Sequence, residues 1–386
     1  MSAPAARIVG SVAAIDPAAW DACLPGEAEC HVYYSACEAA AASSGIGLRM
    51  AAIVVETQGE VVGVAPFFRL DYRLDTPLQG RLRGLGDALF RHLPGLVVLK
   101  ALCVGSPYGE RCHLGFSPRL DAAGRADTFQ KLAETLQRQA ATEGAHLVVW
   151  KDLAPEPERE AGAFLSRAGF ARLASLPVAV LDLPFRDEAT YLASLSAATR
   201  KDIRRKLAKA GDVRIEFRTD IAGLEQEIDA LYESTRAQSG LDYGELELLP
   251  PGYFAGISQA LGERAVFALY WIGGELAAFN LLLVETERVI DKFLGMRYPL
   301  AREHNLYVVS WMANVRFCLE RGIRLFQSGQ TAYASKLRFG SRLVPSAIHV
   351  RHRRAPLQWA LRRLSPWLGF DRFDPDLAEH AGKKAA

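Results

Sequence analysis

The sequence predicts an α/β protein of the mixed, α+β kind, in which one unit is used twice in tandem. Three observations predict it. At 386 residues the chain is longer than one ordinary hydrophobic core serves, so two domains are expected. A strand–turn–strand pattern occurs twice, as VVETQGEVVGVAPFF (54–68) and LYWIGGELAAFNLLL (269–283), each with Gly-Glu at its turn. A helix–glycine–strand pattern also occurs twice, as KLAETLQRQAATEGAHLVVW (131–150) and NLYVVSWMANVRFCLERGIRLF (305–326).

Each element follows from its local chemistry. The hairpins turn at Gly59-Glu60 and Gly274-Glu275. The helices stop at Gly144 and Gly322, because a glycine just past a helix end adopts the left-handed cap without a Cβ clash. A last strand pair closes each copy, GFARLASLPVAV (169–180) and FGSRLVPSAIHV (339–350). The distance from turn glycine to helix-stop glycine is longer in the first copy, which places an insertion at about 71–110. The expected organisation is a first unit at 1–185 with that insertion, a second at 186–350, and a basic amphipathic tail at 351–386.

Composition excludes several classes. The formal charge of +2 gives no global basic field, so DNA is not an expected partner. The six cysteines include a seven-residue repeat (Cys23, Cys30, Cys37) and a Cys112-His113 pair. Neither has the short spacing of a zinc site, so no metal is expected and the thiols read as small buried hydrophobes. The N-terminus lacks the continuous apolar core of a signal peptide, and no apolar run reaches membrane-spanning length. A cytoplasmic location is expected.

Four stretches stand out chemically. GIRLFQSGQTAYASKLRFGSR (322–342) is a short strand, a polar turn and then Lys336 just before Phe339-Gly340. Polar side chains after a buried strand are where α/β proteins place chemistry. SLSAATRKDIRRKLAKAG (194–211) gives a helix with a broad basic face that includes Arg200, Arg204 and Arg205. That face is either solvated or an anion groove. In MRYPLAREHNLY (296–307), Asn305 is the expected N-cap, leaving the amides of Leu306, Tyr307 and Val308 unpaired. RHRRAPLQWALRRLSPWLGF (351–370) mixes arginines with large apolar residues, a pattern shared by membrane-surface helices and by helices docked on their own protein.

A mixed sheet of hairpin, helix and crossing strands is similar to the GNAT acyltransferase unit, and SLSAATRKDIRRKLAKAG (194–211), NLYVVSWMANVRFCLERG (305–322) and QTAYASKLRFGSR (330–342) carry the likeness. Two such units in tandem resemble the Fem aminoacyltransferases of peptidoglycan synthesis and their acetyltransferase-like relatives. The resemblance covers roughly residues 30–350 and implies an N-acyltransferase acting by direct attack of an amine acceptor. No cofactor is implied as permanently bound, and acyl-CoA is the implied co-substrate. Aminoacyl-tRNA is the second donor the resemblance allows. A third reading is a non-catalytic GNAT-like binding protein of envelope or polysaccharide assembly.

The resemblance places the donor at the helix opened by Asn305, Leu306 and Tyr307, with Arg297 and Arg302 as phosphate contacts. The family's Gln/Arg-x-x-Gly-x-Gly/Ala loop is missing there. RLRGLG (81–86) has that string but lies inside the insertion. Asp291 is the expected base, Lys336 the oxyanion stabiliser, and Tyr333 and Gln327 the orienting groups. The position matching Lys336 in the first copy is Ser166, so the second copy is expected to work and the first to support it.

Overall fold

Long strands buried almost without interruption, and helices closed by positive-φ glycines, set the architecture. The computed structural model describes residues 4–44, 47–73, 98–239, 248–372 and 374–385. The first part of the chain runs β1 (Ala5–Val9), α1 (Pro17–Cys23), α2 (His31–Ser44), β2 (Arg49–Thr57), β3 (Glu60–Arg73), β4 (Val98–Val104), β5 (Gly115–Phe116) and α3 (Ala122–Thr142). It continues through β6 (Leu147–Leu153), α4 (Pro155–Arg167) and β7 (Ala171–Ala174).

The second part runs β8 (Val178–Asp182), α5 (Glu188–Ser194), α6 (Ala197–Ala210), β9 (Arg214–Arg218), α7 (Glu225–Ser239), α8 (Tyr253–Leu261), β10 (Ala265–Ile272) and β11 (Glu275–Val284). Then come β12 (Arg288–Met296), α9 (Leu300–Glu303), α10 (Leu306–Glu320), β13 (Leu325–Gly329), α11 (Tyr333–Arg338) and β14 (Arg342–Val344). β15 (Ala347–His352), α12 (Ala355–Leu364) and α13 (Pro375–Ala385) end the chain.

The expected hairpins are β2–β3 and β10–β11, and the turn glycines Gly59 and Gly274 have φ of 82° and 90°. Gly144 and Gly322 end α3 and α10 with φ of 66° and 67°. Sheet one has the order β1-β2-β3-β4-β6-β15-β7, with β5 also on β3; sheet two has the order β14-β8-β13-β12-β11-β10-β9. Both are mixed and each contains a parallel pair, β4–β6 and β12–β13.

The two compact units are Met1–Pro177 with Asp242–Pro250 and Val344–Ala386, and Val178–Leu241 with Pro251–Leu343. This differs from the expected division in two places. The final strand pairs do not stay within their copies: β8 enters sheet two between β13 and β14, and β15 enters sheet one between β6 and β7. Periodicity marks a strand but not its partner, because the pairing is decided by edges far away in sequence. The segment after 350 is no separate tail either, since α12 packs on β7 and β15 within the first unit. RLRGLG lies outside the described residues.

In the first unit α3 and α4 cover the sheet over a core that includes Phe67, Phe129, Leu132, Leu136 and Trp150. In the second unit α10 is apolar almost all round, and eleven of its fifteen residues are buried. A helix of that kind belongs inside a core. Each of its large side chains contributes about 1.5–3 kcal/mol of burial. That packs α10 against β10 and β13.

Candidate functional site

The parallel strands β12 and β13 pair at only three positions, Arg288–Ile290 against Leu325–Gln327. β12 then runs on to Met296, while β13 shifts register against β8 between Gln327 and Gly329. On the other side of β12 a second register shift lies at Leu281/Leu282, opposite Asp291–Phe293. Bulges bend a strand and increase its twist. The two strands therefore stop pairing after Ile290 and Gln327, forming a fork along which β12 packs on α7 and the Met296 amide donates to Thr235 Oγ1 at 2.7 Å.

A buried polar network sits at the apex of this fork. Asn280 of β11 donates from Nδ2 to both carboxylate oxygens of Asp291, at 2.8 and 3.1 Å, and Asn314 of α10 donates to Oδ2 at 3.5 Å. Tyr270 of β10 donates its hydroxyl to Asn314 Oδ1 at 3.3 Å. Asn280 is 1% exposed, and Asn314 and Tyr270 are fully buried. Burial, aided by the Asp291 charge, pushes the Tyr270 hydroxyl and the Cys318 thiol well above their ordinary values. Asp291 is the base that the sequence suggests; in the structure its oxygens accept from two amides that tie two strands to a helix.

The loop from β12 to α10 leaves the open end of the fork. Asn305 does occupy the N-cap position, but at φ 51° and without capping through its side chain. The amide of Val308 is used by the Asn305 carbonyl at 2.9 Å, so of the three amides expected to be unpaired this one is not. Asn305 Nδ2 instead reaches the Lys206 carbonyl at 3.4 Å, and His304 Nδ1 lies 2.6 Å from the Ala210 carbonyl. The structure thus brings the loop and the basic helix α6 together. Arg297 is exposed and donates to the Leu276 carbonyl at 3.3 Å; Arg302, also exposed, stacks on the Tyr298 ring. Leu306 and Tyr307 open α10, and Leu306 is fully buried.

The cations of the basic face divide into two sets. Arg200 caps the end of α5 through the carbonyls of Ala193 and Leu195. Arg205, Lys206 and Arg338 all bind Asp202, at 2.6, 3.0 and 2.7 Å, and these cations hold its carboxyl far below the usual range. Arg338 belongs to α11, so this cluster joins the basic helix to the helix carrying Lys336. Lys201, Arg204 and Lys209 remain exposed to solvent.

Lys336 lies on α11, beyond a loop in which Gly329, Thr331 and Ala332 all have positive φ. Its ammonium is buried and donates to the Gln330 carbonyl inside that loop at 2.8 Å. Such backbone is costly for non-glycine residues and persists only where its surroundings fix it. Tyr333, fully buried, opens α11. Gln327 accepts from Arg288 at 3.3 Å, and Arg288 is itself paired with Glu285. Gly340 ends α11 at φ 94°, where a Cβ would meet Leu195 at 3.3 Å, so the Phe-Gly pair is a requirement of this stop. Trp311 of α10 donates to Tyr191 at 2.9 Å, which donates to the Phe339 carbonyl at 2.8 Å, and this fixes α11 from its far end.

The first unit has the same fork, and its own chain fills it. β4 and β6 pair at Ala101–Val104, after which Cys112 N–H bonds the Asp152 carbonyl at 2.8 Å and Lys151 bonds the Gly109 carbonyl at 2.8 Å. Behind this plug His113 lies 2.7 Å from the Tyr34 hydroxyl and 3.5 Å from Glu27 and Glu29. All six cysteines are unbridged and buried.

Residues 197–337 match the family model described as Acetyltransferase (GNAT) domain, a span running from α6 through the fork into α11. The second unit thus carries an acetyltransferase (GNAT) domain. No curated protein matches it in sequence. Among solved structures, FemX is similar at 14% identity over 84% of this chain and 92% of that one, with a TM-score of 0.52. A tandem GNAT protein from the clavulanic acid biosynthesis pathway is 13% identical over 90% and 98%, with a TM-score of 0.48. The C-terminal domain of a putative lysylphosphatidylglycerol synthetase from Agrobacterium fabrum is 14% identical over 78% and 83%, with a TM-score of 0.47. The FemX likeness spans most of both chains and shows the shared fold. Among the described residues no helix is long and apolar enough to cross a membrane.

Proposed function

We propose that the second unit moves an acyl group from an acyl-CoA, or another acyl thioester, to an amine. The observation that carries this reading is the fork: two parallel strands that separate after three pairs inside a GNAT domain. Backbone N–H and C=O groups beyond the last shared pair can exchange hydrogen bonds with a ligand. The amide-bearing arm of an acyl thioester supplies both kinds. Its phosphates then fall at the start of α10, where the first amides and the positive helix end favour an anion. Leu306, Tyr307, Arg297 and Arg302 are the groups assigned to that contact.

The reaction is direct. The amine nitrogen attacks the thioester carbonyl, a tetrahedral oxyanion forms, the C–S bond breaks, and the nitrogen's proton leaves with the thiolate. One preorganised oxyanion donor is worth ~3 kcal/mol in such a step. Lys336 is assigned to positioning: it fixes the Gln330–Ala332 loop beside the end of β13, with Tyr333 and Gln327 in the same wall. Asp291 is likewise assigned to holding the apex of the fork rather than to taking the proton.

The exposed Lys201, Arg204 and Lys209 keep a second donor, aminoacyl-tRNA, in play. CoA is preferred because Arg200 and Arg205 are used inside the fold, which thins the basic face a tRNA would need. A thermal-shift series with free CoA, acetyl-CoA, longer acyl-CoAs and charged tRNA decides the matter. Stabilisation by acyl-CoA that grows with concentration supports the reading. Stabilisation by charged tRNA alone replaces it with the tRNA donor, and no response to any of them refutes acyl transfer from either.

A further inference from the structure

Among the described residues six large apolar side chains are exposed, and five of them fall between positions 357 and 368. Leu357 is 49% exposed, Trp359 71%, Leu364 48%, Trp367 59% and Leu368 38%. Elsewhere Trp20 and Trp150 are fully buried, Trp311 is 4% exposed and Trp271 is half-buried. Such a cluster marks an interaction surface rather than ordinary scatter.

The cluster is held in place. Gln358 accepts from the His352 amide at 2.6 Å and donates to the Gly169 carbonyl at 2.6 Å, anchoring α12 to the first unit. Leu357 and Leu364, two turns apart, share a helical face. The stretch 351–370 also contains five arginines and no acidic residue, and Arg354, Arg362 and Arg363 are exposed.

We propose that this surface docks the first unit onto a bilayer carrying anionic headgroups. Exposed tryptophans and leucines beside arginines are the composition of an interfacial helix. The rings and chains enter the headgroup boundary while the guanidiniums reach the phosphates. Each cation near an anionic leaflet adds to the attraction, and salt screens it. A second copy of the chain is a poorer occupant, because a twofold contact would set this arginine-rich surface against itself.

The test is co-sedimentation of the full chain with phosphatidylcholine vesicles, with and without a quarter phosphatidylglycerol, at low and high salt. Binding is expected only with phosphatidylglycerol, and weaker in high salt. Trp359→Ser with Trp367→Ser is expected to lower partitioning by at least ~10-fold. Arg362→Glu with Arg363→Glu is expected to remove the dependence on anionic lipid. All four side chains are exposed, so an unchanged melting temperature shows that the variants fold. Variants that bind vesicles like wild type overturn the proposal. So does a chain that ignores vesicles but forms a dimer the tryptophan variant breaks.

Discussion

Replacing Asp291 separates a structural carboxylate from a catalytic one. Asp291→Ala removes the acceptor of two amides, Asn280 and Asn314, that are 1% and 0% exposed. Each buried donor left without a partner costs ~1–3 kcal/mol, so a loss of about 2–6 kcal/mol is expected. Against a total stability on the order of 5–15 kcal/mol, that is a large fraction. Asp291→Asn keeps one acceptor oxygen and turns the other into a donor facing Asn280, with an expected cost of ~1–3 kcal/mol. The double swap, Asn280→Asp with Asp291→Asn, puts a carboxylate opposite an amide again, and the amide oxygen introduced at position 291 can still accept from Asn314. It is expected to recover more than half of the single-variant loss, a coupling that unrelated sites do not show. Urea unfolding at constant m gives the stabilities, and turnover is measured on folded protein. If Asp291→Asn unfolds at the wild-type midpoint while turnover collapses, the carboxylate is the base and the positioning argument is wrong.

Three further outcomes are expected. Lys336→Met takes the buried ammonium away from the half-buried Gln330 carbonyl, so urea unfolding should show ~1–3 kcal/mol lost. Turnover should fall with it and Lys336→Arg should recover part of both; a stable Met variant with intact turnover removes Lys336 from the account. Reversing Lys201, Arg204 and Lys209 to glutamate should weaken CoA binding several-fold at low salt and flatten its salt dependence, since none of the three is used inside the fold. Isothermal titration that finds the same affinity at both salt levels returns α6 to a solvated face. His349 and His352 titrate below their ordinary value, mainly because burial disfavours the charged ring; Glu158 opposes this at His349 and Arg172 adds to it. The unfolded chain therefore binds protons first, and stability should fall as pH drops through about 6.5. His349→Gln should make that slope shallower, and a slope it leaves unchanged assigns the effect elsewhere.

The repeat was legible because its signals are local. Turn glycines, helix-stop glycines and a 3.6-residue apolar period depend on near neighbours, so both hairpins and both crossover helices could be read directly. The exchange of β8 and β15 could not, because a five- or six-residue apolar strand fits either sheet equally well. The site divided along the same line. Lys336 stood out beyond a buried strand and Asp291 as the expected base, but groups that bind them, Gln330, Asn280 and Asn314 among them, have no sequence signature. Arg200 and Arg205 looked like surface cations, and the acceptors that occupy them are backbone carbonyls and Asp202. Tyr191 and Trp311, 120 positions apart, carried no hint of their shared hydrogen bond.

The fork is the centre of the account, and hydrogen exchange tests it directly. With saturating acyl-CoA, the amides of peptides covering 291–297 and 328–332 are expected to slow by at least ~10-fold, as a ligand takes up the parted strand edges. The matching region of the first unit, 105–112, should not change, because its own chain already fills that fork. Acyl-CoA that binds while leaving 291–297 at its free rate, or that protects 105–112 instead, contradicts the assignment.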